Sequence, residues 1–331
     1  MKHKFENKIV LVTGGTGWIG SELVKKILAF NPKQVRVYSR DEHKQFYLQK
    51  KLGNPENLRL FLGDIRDKDR LRRAFDGVDI VFHAAALKHV AICEYNPFEV
   101  VKTNIMGTQN VIDVAIEHNV EKLVAISSDK SVNPTSIMGV SKLMMEKLVV
   151  NANYYSGNAQ TKFSCVRFGN VMWSRGSVLP IWKEQVEENN NITITNSEMT
   201  RFFMHTNEAI DLVLTSAVLA KGGEIFVLKM KSIELGELAR AFIDKFFPDS
   251  GVTITKIGLF PGEKMHEDLF TESELSQTLI ENKKLYVLLP EILIDNVQSV
   301  NTEYEGFNNV ICDFSYSSQN FLDTQSIKAV L

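Results

Sequence analysis

The sequence predicts an α/β protein with a doubly wound parallel sheet and a smaller α/β lobe interleaved after the sixth strand. Three observations support this fold class. Short β-branched segments alternate with helical segments through the first half of the chain, a rhythm typical of a parallel sheet with helices on both faces. The first strand ends in a glycine-rich turn. The second half is less regular but contains no repeat or low-complexity linker. This favours a second lobe formed by insertions between elements of one sheet over a separately tethered domain.

Each predicted element has a local signal. The strands of the first half are short and rich in Val, Ile and Leu, and they span residues 8–13, 34–39, 58–62, 78–83, 122–127 and 163–171. The helices repeat apolar residues every three or four positions, and they span residues 18–30, 67–75, 97–118 and 139–155. The second half predicts helices near 207–219 and 235–247 and strands near 224–228 and 253–257, followed by a polar tail.

The expected division of the chain into domains follows from this order of strands and helices. A chain of 331 residues has room for about two units of roughly 150 residues. We expect residues 1–170 to form the main domain, with part of 205–228 returning to it. Residues 171–204 and 229–331 are expected to form the second lobe.

Composition excludes several classes of function. The chain has 38 Lys and Arg against 40 Asp and Glu, a net charge of −2, whereas nucleic-acid-binding proteins usually carry a basic surplus. Cys93, Cys165 and Cys312 are far apart and form no CxxC pair, which predicts no metal site and favours a reducing compartment. No apolar run approaches the roughly 20 residues of a membrane span, and no cleavable leader precedes the first strand. We therefore expect a cytoplasmic protein with no nucleic-acid or membrane partner.

The glycine-rich turn predicts a nucleotide site. Gly14, Gly17 and Gly20 recur at three-residue spacing, directly after a strand and at the start of a helix. This context is the one that the dinucleotide-binding fingerprint requires, because glycine permits a tight turn and lets the backbone approach a pyrophosphate at the helix N-terminus. The fold class is therefore Rossmann-like. The cofactor-binding residues expected in this turn are Gly14, Thr16, Gly17, Trp18, Ile19 and Gly20.

The end of the second strand favours NADP. NAD-dependent proteins place an acidic residue there to bind the ribose hydroxyls, whereas this chain has Ser39 and Arg40, with Lys44 nearby. A guanidinium and a hydroxyl suit a 2′-phosphate. Alternatively, Asp41 and the next residue mark the solvated start of a helix. Further cofactor contacts are expected after the third and fourth strands, at Asp64, Ile65, Ala84, Ala85 and Ala86.

Strand five ends in a segment that could carry acid–base chemistry. Ser128, Asp129 and Lys130 lie where ligands bind in open parallel sheets, and a neighbouring carboxylate and amine can serve as an acid and a base. An exposed turn is an equally good interpretation of these residues alone. Met138 and Lys142 follow four residues apart, so both side chains can face the same site.

These motifs resemble the extended short-chain dehydrogenase/reductase superfamily, and more narrowly its polysaccharide-biosynthesis group of UDP-N-acetylglucosamine 4,6-dehydratases. The resemblance covers roughly residues 5–320. It rests on segments 38–42 (YSRDE), 84–90 (AAALKHV), 103–107 (TNIMG), 128–130 (SDK), 167–171 (RFGNV), 174–178 (SRGSV), 200–202 (TRF) and 261–267 (PGEKMHE). It implies that Asn104 belongs to the cofactor site and that the second lobe binds the sugar nucleotide. Larger relatives carry an N-terminal membrane region, and we expect this chain to comprise the catalytic unit alone.

The resemblance also implies a closed redox cycle with NADP as cofactor. Hydride leaves sugar C4, a base removes the C5 proton, water leaves from C6, and hydride returns to C6. By position, Asp129 would protonate the departing hydroxyl and Lys130 would take the C5 proton. Lys142 would hold the nicotinamide ribose, and Ser128 stands where many relatives have Thr.

Two residues depart from the family pattern. The usual catalytic Tyr, four residues before Lys142, is Met138, and a thioether cannot act as a base. The chain therefore resembles either an inactive member or the Met-bearing branch that retains the C5 configuration, and the intact Asp129–Lys130 pair favours the second. The C4 hydroxyl proton must then go to Lys130, Asp129 or a water relay. Phe260 stands where relatives often carry Arg, so one cationic contact to the nucleotide sugar is missing.

The expected substrate is UDP-N-acetylglucosamine. Arginine and lysine suit a diphosphate, although any one of them could instead form a surface ion pair, and a structural role for Lys88 and His89 is equally open. The substrate-binding residues expected from the resemblance are Lys88, His89, Asn170, Arg175, Ser177, Arg201, Glu263 and Lys264. Helices 97–118 and 139–155 resemble the pair that forms a dimer interface in this superfamily, so a homo-oligomer is expected, although their apolar positions could equally be core.

Two other functions compete with the 4,6-dehydratase, itself either C5-retaining or C5-inverting. A nucleotide-sugar C4-epimerase shares the cofactor fold, but it needs a base at C4 and has no use for the Asp129–Lys130 pair. A non-catalytic NADP-binding protein would account for Met138 as a mark of lost activity.

Overall fold

The computed structural model describes residues 1–275, 279–290, 303–310, 316–323, 327 and 331. Cys312 lies outside these residues, and the expected polar tail is described only in part. No helix in the described ranges combines the length and apolar character needed to cross a bilayer.

Strands occur throughout the described part of the chain. They are β1 (Ile9–Thr13), β2 (Gln34–Ser39), β3 (Leu58–Leu62), β4 (Ile80–His83), β5 (Lys122–Ser128), β6 (Lys162–Phe168), β7 (Asn170–Val171), β8 (Asn191–Ile194), β9 (Thr200–Met204), β10 (Ile225–Leu228), β11 (Lys231–Glu234), β12 (Thr253–Lys256), β13 (Leu279–Glu281), β14 (Leu285–Leu288) and β15 (Asn308–Asn309).

The helices cover the sheet and build the second lobe. They are α1 (Trp18–Leu28), α2 (Glu42–Lys51), α3 (Lys68–Phe75), α4 (Val90–Tyr95), α5 (Pro97–Val100), α6 (Gly107–Glu117), α7 (Ile137–Tyr155), α8 (Val178–Asn189), α9 (Thr206–Leu219), α10 (Leu235–Phe246) and α11 (Glu272–Leu275). A π-helical segment, Val101–Met106, joins α5 to α6.

The large sheet confirms the predicted fold class. Its strand order is β15-β13-β14-β10-β6-β5-β4-β1-β2-β3, and the strands from β10 to β3 are parallel. The strand order reverses between β1 and β4, and ligands of open parallel sheets bind beyond the carboxyl ends of the strands at such a switch point. The turns after β1, β4 and β5 therefore border one cleft.

Two predicted elements are divided in the structure. The predicted sixth strand, 163–171, ends at Phe168, and β7 pairs instead with β9 in a second sheet. Gly169 permits this departure because a Cβ atom there would lie 2.8 Å from Met230 Sδ. The predicted helix 97–118 is interrupted by the π-helical segment, a feature that is frequent at functional sites. Gly107 follows it and packs against Ile65, whose Cδ1 would lie 2.7 Å from an added Cβ atom.

Helix α2 was not among the predicted helices, although Asp41 was named as an alternative helix start, because its inner face carries a polar residue. Gln45 is buried, and its amide donates to the carbonyls of Ser39 and Phe61 at 3.0 and 2.9 Å. Phe46 and Tyr47 are exposed instead. The apolar residues of α2 therefore lack the spacing that identifies a helix in sequence.

The second lobe has its own apolar core. Trp182 on α8 and Phe242 on α10 are fully buried there, with ring centroids 5.6 Å apart. Two small sheets, β11-β9-β7 and β12-β8, complete it. The expected division assigned all of 229–331 to this lobe, whereas β13, β14 and β15 continue the large sheet. The domain boundaries themselves stay a prediction.

Candidate active site

A glycine-rich turn connects β1 to α1 at the switch point of the sheet. Gly14 has a φ of +66°, and a Cβ atom there would lie 2.7 Å from the Ala85 nitrogen. At Gly20, a Cβ atom would lie 2.3 Å from the Gly14 oxygen. Gly17 precedes α1 and has no side chain to cap it, so the first amide groups of α1 can bind an anion. Backbone conformation and close packing in this turn both fit a bound diphosphate.

Three predicted neighbours complete the glycine turn. Thr16 is half-buried at its tip, and Ile19 packs against the main core. Trp18 is partly exposed, and its Nε1 donates to the Thr206 hydroxyl at 3.1 Å. This hydrogen bond ties the turn to the start of α9.

Two arginines converge on one carboxylate where β2 and β3 end. Arg66 donates to Asp64 through Nε at 3.0 Å and Nη2 at 2.7 Å, and Arg40 Nη1 lies 3.5 Å from the same Oδ2. Partial burial would raise the pKa of Asp64, but the hydrogen bonds and charges of the arginines outweigh it and lower that pKa. Sequence reasoning missed Arg66, whose only signal is its place two residues after Asp64.

The other residues of this strand end have structural partners. Asp41 accepts from the Lys44 amide at 2.9 Å and caps α2, which confirms the alternative interpretation of Asp41 as a helix start. The Lys44 ammonium lies 2.8 Å from the Asp41 carboxylate. The Ser39 hydroxyl accepts from Gln45 Nε2 at 3.1 Å. Arg66 is paired as well, with Asp64 and, at 2.9 Å, with Glu99. Arg40, whose contact to Asp64 is 3.5 Å long, is the least engaged cation where these strands end.

Asn104 is buried and fixes the loop that follows β4. Its Oδ1 accepts from the Leu87 amide at 2.8 Å, and its Nδ2 donates to the Leu87 carbonyl at 3.0 Å and the Ser141 hydroxyl at 2.9 Å. Both donors of the side-chain amide are thus used within the protein. Asn104 therefore fixes the backbone of Leu87, which directly follows Ala84, Ala85 and Ala86.

A neutral histidine, which sequence reasoning missed, links β1, β4 and α6. His83 is fully buried, with Nδ1 2.7 Å from the Thr13 hydroxyl and Nε2 3.0 Å from the Thr108 hydroxyl. The Thr108 hydroxyl donates to the Asn104 carbonyl at 2.7 Å, so His83 Nε2 is the donor and Nδ1 accepts from Thr13. Burial, together with the charge of Lys142, lowers the pKa of His83 to about 3. His83 is therefore a structural residue at neutral pH.

The predicted acid and base are in direct contact after β5. Ser128 ends the strand, and its hydroxyl donates to Asp129 Oδ1 at 2.7 Å and accepts from the Lys130 amide at 3.2 Å. Lys130 Nζ lies 3.0 Å from the same Oδ1. Asp129 is fully buried, and its Oδ2 has no hydrogen-bond partner among the described residues. An unpaired buried carboxylate oxygen is costly, which is typical of a group that meets a ligand.

A second buried carboxylate, Glu267, completes this cluster. Its Oε1 lies 3.4 Å from Lys130 Nζ and 4.0 Å from Arg201 Nε, and its Oε2 lies 2.9 Å from Lys264 Nζ. Asn170 Oδ1, on β7, lies 3.4 Å from Lys130 Nζ. Glu267 is the last residue of segment 261–267, but sequence reasoning did not single it out as a site residue.

Burial and charge separate the proton affinities of these groups. Burial raises the pKa of Asp129, and the charge of Lys130 only partly offsets it. Burial works against the charge of Lys130, but Asp129 and Glu267 outweigh it and raise the pKa of the ammonium group. Burial would raise the pKa of Glu267, yet Lys130, Lys264 and Arg201 together lower it. Asp129 and Lys130 thus both have a raised proton affinity, and they lie beside an anionic Glu267.

Lys142 and Met138 lie together on the first turns of α7. Lys142 Nζ donates to the Ile126 carbonyl at 2.8 Å, and burial lowers its pKa to about 8. Met138 is buried in a small apolar cluster with Cys93 and Val100. Met138 is thus a packing residue, whereas Lys142 retains a polar, titratable group below the cleft.

Two of the cations predicted for the diphosphate, Arg201 and Lys264, donate to backbone carbonyls of the protein. Arg201 is buried, and its guanidinium donates to the carbonyls of Thr200, Lys264 and Met265 at 2.8, 2.8 and 3.2 Å. Lys264 Nζ donates to the Val132 carbonyl at 2.8 Å. Both side chains therefore hold the segment before Glu267 against β9 and the Lys130 turn, a structural use that the sequence did not indicate.

The segment whose carbonyls Arg201 holds also contains Glu263, and Phe260 directly precedes its Pro-Gly turn. Glu263 Oε1 lies 3.7 Å from Arg201, and its Oε2 accepts from the Phe260 amide at 3.2 Å. Phe260 itself is exposed. Glu263 thus shapes the turn that carries Phe260.

The remaining substrate candidates form a second group. Lys88 Nζ donates to the Arg175 carbonyl at 3.1 Å, and His89 Cε1 would lie 2.7 Å from a Cβ atom at Gly176. Burial lowers the pKa of both Lys88 and His89. Arg175 is exposed, and Ser177 precedes α8 with a buried hydroxyl that has no hydrogen-bond partner in the described ranges. The structure therefore brings the loops after β4 and β7 together, and the substrate-binding roles of their residues stay a prediction.

A buried ion triad supports the turn of Ser128, Asp129 and Lys130. Arg167 on β6 donates to both oxygens of Glu146 at 3.0 and 2.8 Å and to both oxygens of Glu274 at 3.0 and 2.6 Å. Ser131 Oγ lies 2.9 Å from Glu146 and 2.7 Å from the Ser128 carbonyl. The triad thus connects the turn of Ser128 to β6, α7 and α11.

The fold and this site define the class of protein. A parallel sheet of this order, a glycine turn after β1, an Asp-Lys turn after β5 and a buried lysine on α7 are the features of an extended short-chain dehydrogenase/reductase. The chain belongs to the family described as "Polysaccharide biosynthesis protein", whose model matches residues 10–289. Sequence analysis expected this group.

Three relatives match nearly the whole chain. The "Uncharacterized membrane protein MJ1061" of Methanocaldococcus jannaschii is 48% identical over 99% of this chain and 96% of its own length. A "UDP-N-acetylglucosamine 4,6-dehydratase (inverting)" of Campylobacter jejuni is 42% identical over 96% of this chain and 94% of its own. A "UDP-glucose 4-epimerase" of Rickettsia rickettsii is 36% identical over 99% and 96%. Among solved structures, Pen from Bacillus thuringiensis is 42% identical, with a TM-score of 0.92 over 98% of this chain and 97% of its own.

Proposed function

We propose that the protein is an NADP-dependent UDP-N-acetylglucosamine 4,6-dehydratase, a lyase that forms a 4-keto-6-deoxy sugar nucleotide. The observation that carries this proposal is the buried contact between Asp129 and Lys130 at the end of β5. Dehydration needs an acid for the departing hydroxyl and a base for the neighbouring C–H. The 42% identity to a protein named as such a dehydratase supports the same substrate.

One proton transfer would create both catalytic groups. In the resting contact Lys130 is an ammonium group, which cannot act as a base. Movement of its proton across the 3.0 Å hydrogen bond to Asp129 Oδ1 breaks an N–H bond and forms an O–H bond, leaving an amine and a carboxylic acid. Burial favours this neutral pair over two charges. Lys130 can then take the C5 proton while Asp129 protonates the C6 hydroxyl.

The cofactor would be held by the glycine turn, Arg40 and Arg66, with Lys142 at the nicotinamide end. When bound, it supplies a hydride acceptor at C4 and returns the hydride at C6. Two guanidinium groups beside β2 support a 2′-phosphate and hence NADP over NAD. Because Met138 is a buried thioether, we assign the C4 hydroxyl proton to the turn of Ser128, Asp129 and Lys130, from which a water relay passes it to solvent, so that Lys130 is an amine again when it takes the C5 proton.

Retention at C5 is the expected outcome, because the chain resembles the Met-bearing branch at Met138. The Campylobacter relative is named as inverting, so inversion is the alternative within the same reaction class. The two outcomes differ in the C5 configuration of the first product formed. Proton NMR couplings of H5, recorded early in turnover, distinguish them.

A C4-epimerase is the second candidate, because one relative carries that name at 36% identity. An epimerase returns hydride to C4 and has no step for the acid of the Asp129–Lys130 pair. Incubation with UDP-N-acetylglucosamine separates the candidates. A C6 methyl doublet in the proton NMR spectrum supports the dehydratase, a galacto isomer supports the epimerase, and no turnover supports a non-catalytic protein.

The active form is expected to be a homo-oligomer. Apolar side chains are exposed on α4, α5 and α7, among them Tyr95, Phe98 and Met144, and exposed apolar patches of this kind commonly mark interfaces. Phe98 and Met144 lie on the helices that resemble the family's dimer interface, which supports a second copy of the chain as the partner. Light scattering coupled to size-exclusion chromatography measures the assembly directly.

A further inference from the structure

Glu267 is buried without contributing to any step derived so far. It is 2% exposed, and its carboxylate lies between Lys130 at 3.4 Å, Lys264 at 2.9 Å and Arg201 at 4.0 Å. Its backbone is fixed as well, because its amide donates to the Ser318 hydroxyl at 2.9 Å and its carbonyl accepts from the Ser318 amide at 2.7 Å. A carboxylate held this firmly is a fixed negative charge beside Lys130.

We propose that Glu267 is a positioning residue of the dehydratase: anchored by Lys264 and Arg201, it holds Lys130 beside Asp129 and sets the pH range in which that pair holds one proton. This inference rests on the proposed function, because it assigns a role within the same acid–base step. With one shared proton the pair can become an amine and an acid. With two protons it has no base, and with none it has no acid.

The sign of the effect follows from the charges that surround the pair. Charged and titratable groups surround Lys130 from each element packed against it. Asp129 lies on its own turn, and Arg201 lies on β9. The segment before α11 contributes Glu263, Lys264, His266 and Glu267, and Glu146 on α7 reaches the turn through Ser131. Removing the negative charge of Glu267 lowers the proton affinity of both Lys130 and Asp129. Removing the positive charge of Lys264 raises it.

The test is the pH dependence of kcat/KM for conversion of UDP-N-acetylglucosamine, which reports groups of the free enzyme. Glu267→Gln should move both limbs of the profile to lower pH by about 1 to 3 units, the range expected for an opposite charge within 4–6 Å. Glu267→Asp should restore the wild-type limbs in part. Lys264→Gln should move the limbs to higher pH, so the inference stays testable if Glu267→Gln does not fold. Glu188→Gln, which removes an exposed charge of α8, should leave the profile unchanged.

The outcomes separate this inference from the proposed function. Opposite shifts in Glu267→Gln and Lys264→Gln support it, since a merely structural role would lower the rate without moving the limbs. Limbs that coincide with the wild type in both variants overturn it, whatever happens to the rate. A folded wild-type protein that forms no 4-keto-6-deoxy product overturns the proposed function, and the inference with it.

Discussion

The cofactor preference gives the most direct quantitative prediction. Arg40 and Arg66 carry the two guanidinium groups where β2 and β3 end, with side chains 55% and 38% exposed. Replacing either with Ala removes one charge-assisted contact to a 2′-phosphate. Such contacts contribute about 1.5–3 kcal/mol. The contacts of Arg40 and Arg66 should lie at the lower end of this range, because both side chains are partly exposed and already pair with Asp64.

The predicted loss follows from that figure. About 1.5 kcal/mol corresponds to roughly a tenfold increase in the Kd of NADPH for each single variant. The double variant should lose less than about 100-fold, because neighbouring residues that share Asp64 are not additive. NADH lacks the 2′-phosphate, so its Kd should change little.

Fluorescence titration of both reduced cofactors measures these constants. The matched control is Arg72→Ala, which removes an arginine of α3 that pairs with Glu117. Its ratio of NADPH to NADH affinity should equal that of the wild type. An equal loss for both cofactors in Arg40→Ala and Arg66→Ala, or no loss for NADPH, would refute the assignment of the 2′-phosphate to this strand end.

Two further predictions concern the catalytic turn and its support. Asp129→Asn and Lys130→Met should each lower kcat by at least about 100-fold, the usual contribution of a general acid or base, while the Kd of NADPH stays within about threefold; normal turnover in either variant would contradict their roles. Arg167→Met should lower the free energy of unfolding by about 3–5 kcal/mol, because it leaves Glu146 and Glu274 buried without their cation. Combining Arg167→Met with Glu146→Gln and Glu274→Gln should recover much of the lost free energy of unfolding, measured by urea denaturation. A wild-type denaturation midpoint for Arg167→Met alone would contradict the triad's role.

Local sequence patterns predicted the elements that have regular periodicity. The parallel strands β1 to β6 and helices α1, α3, α7, α9 and α10 all have such patterns, and the structure confirms their existence. Helix α2 was missed because Gln45 occupies its inner face, and β9 because two of its five buried residues, Thr200 and Arg201, are polar. A pattern of alternating or periodic burial cannot report either arrangement.

The candidate site shows the same limit. Asp129 and Lys130 are adjacent in sequence, so their contact could be predicted. Glu267 reaches Lys130 only because the second lobe folds back over β5, which no local pattern records. Arg201 was expected to meet the substrate, but burial against the carbonyls of its own lobe gives it a structural use that only the tertiary structure reveals.

The central claim is that the Asp129–Lys130 pair dehydrates a nucleotide sugar, and one measurement tests it most directly. Purified protein is incubated with NADP and UDP-N-acetylglucosamine in deuterium oxide, and the product is followed by proton NMR. We predict a new C6 methyl signal that has lost its coupling to H5, because the base exchanges the C5 proton with solvent. An unchanged substrate spectrum, or a galacto isomer that keeps its C6 hydroxymethyl signals, would contradict the claim.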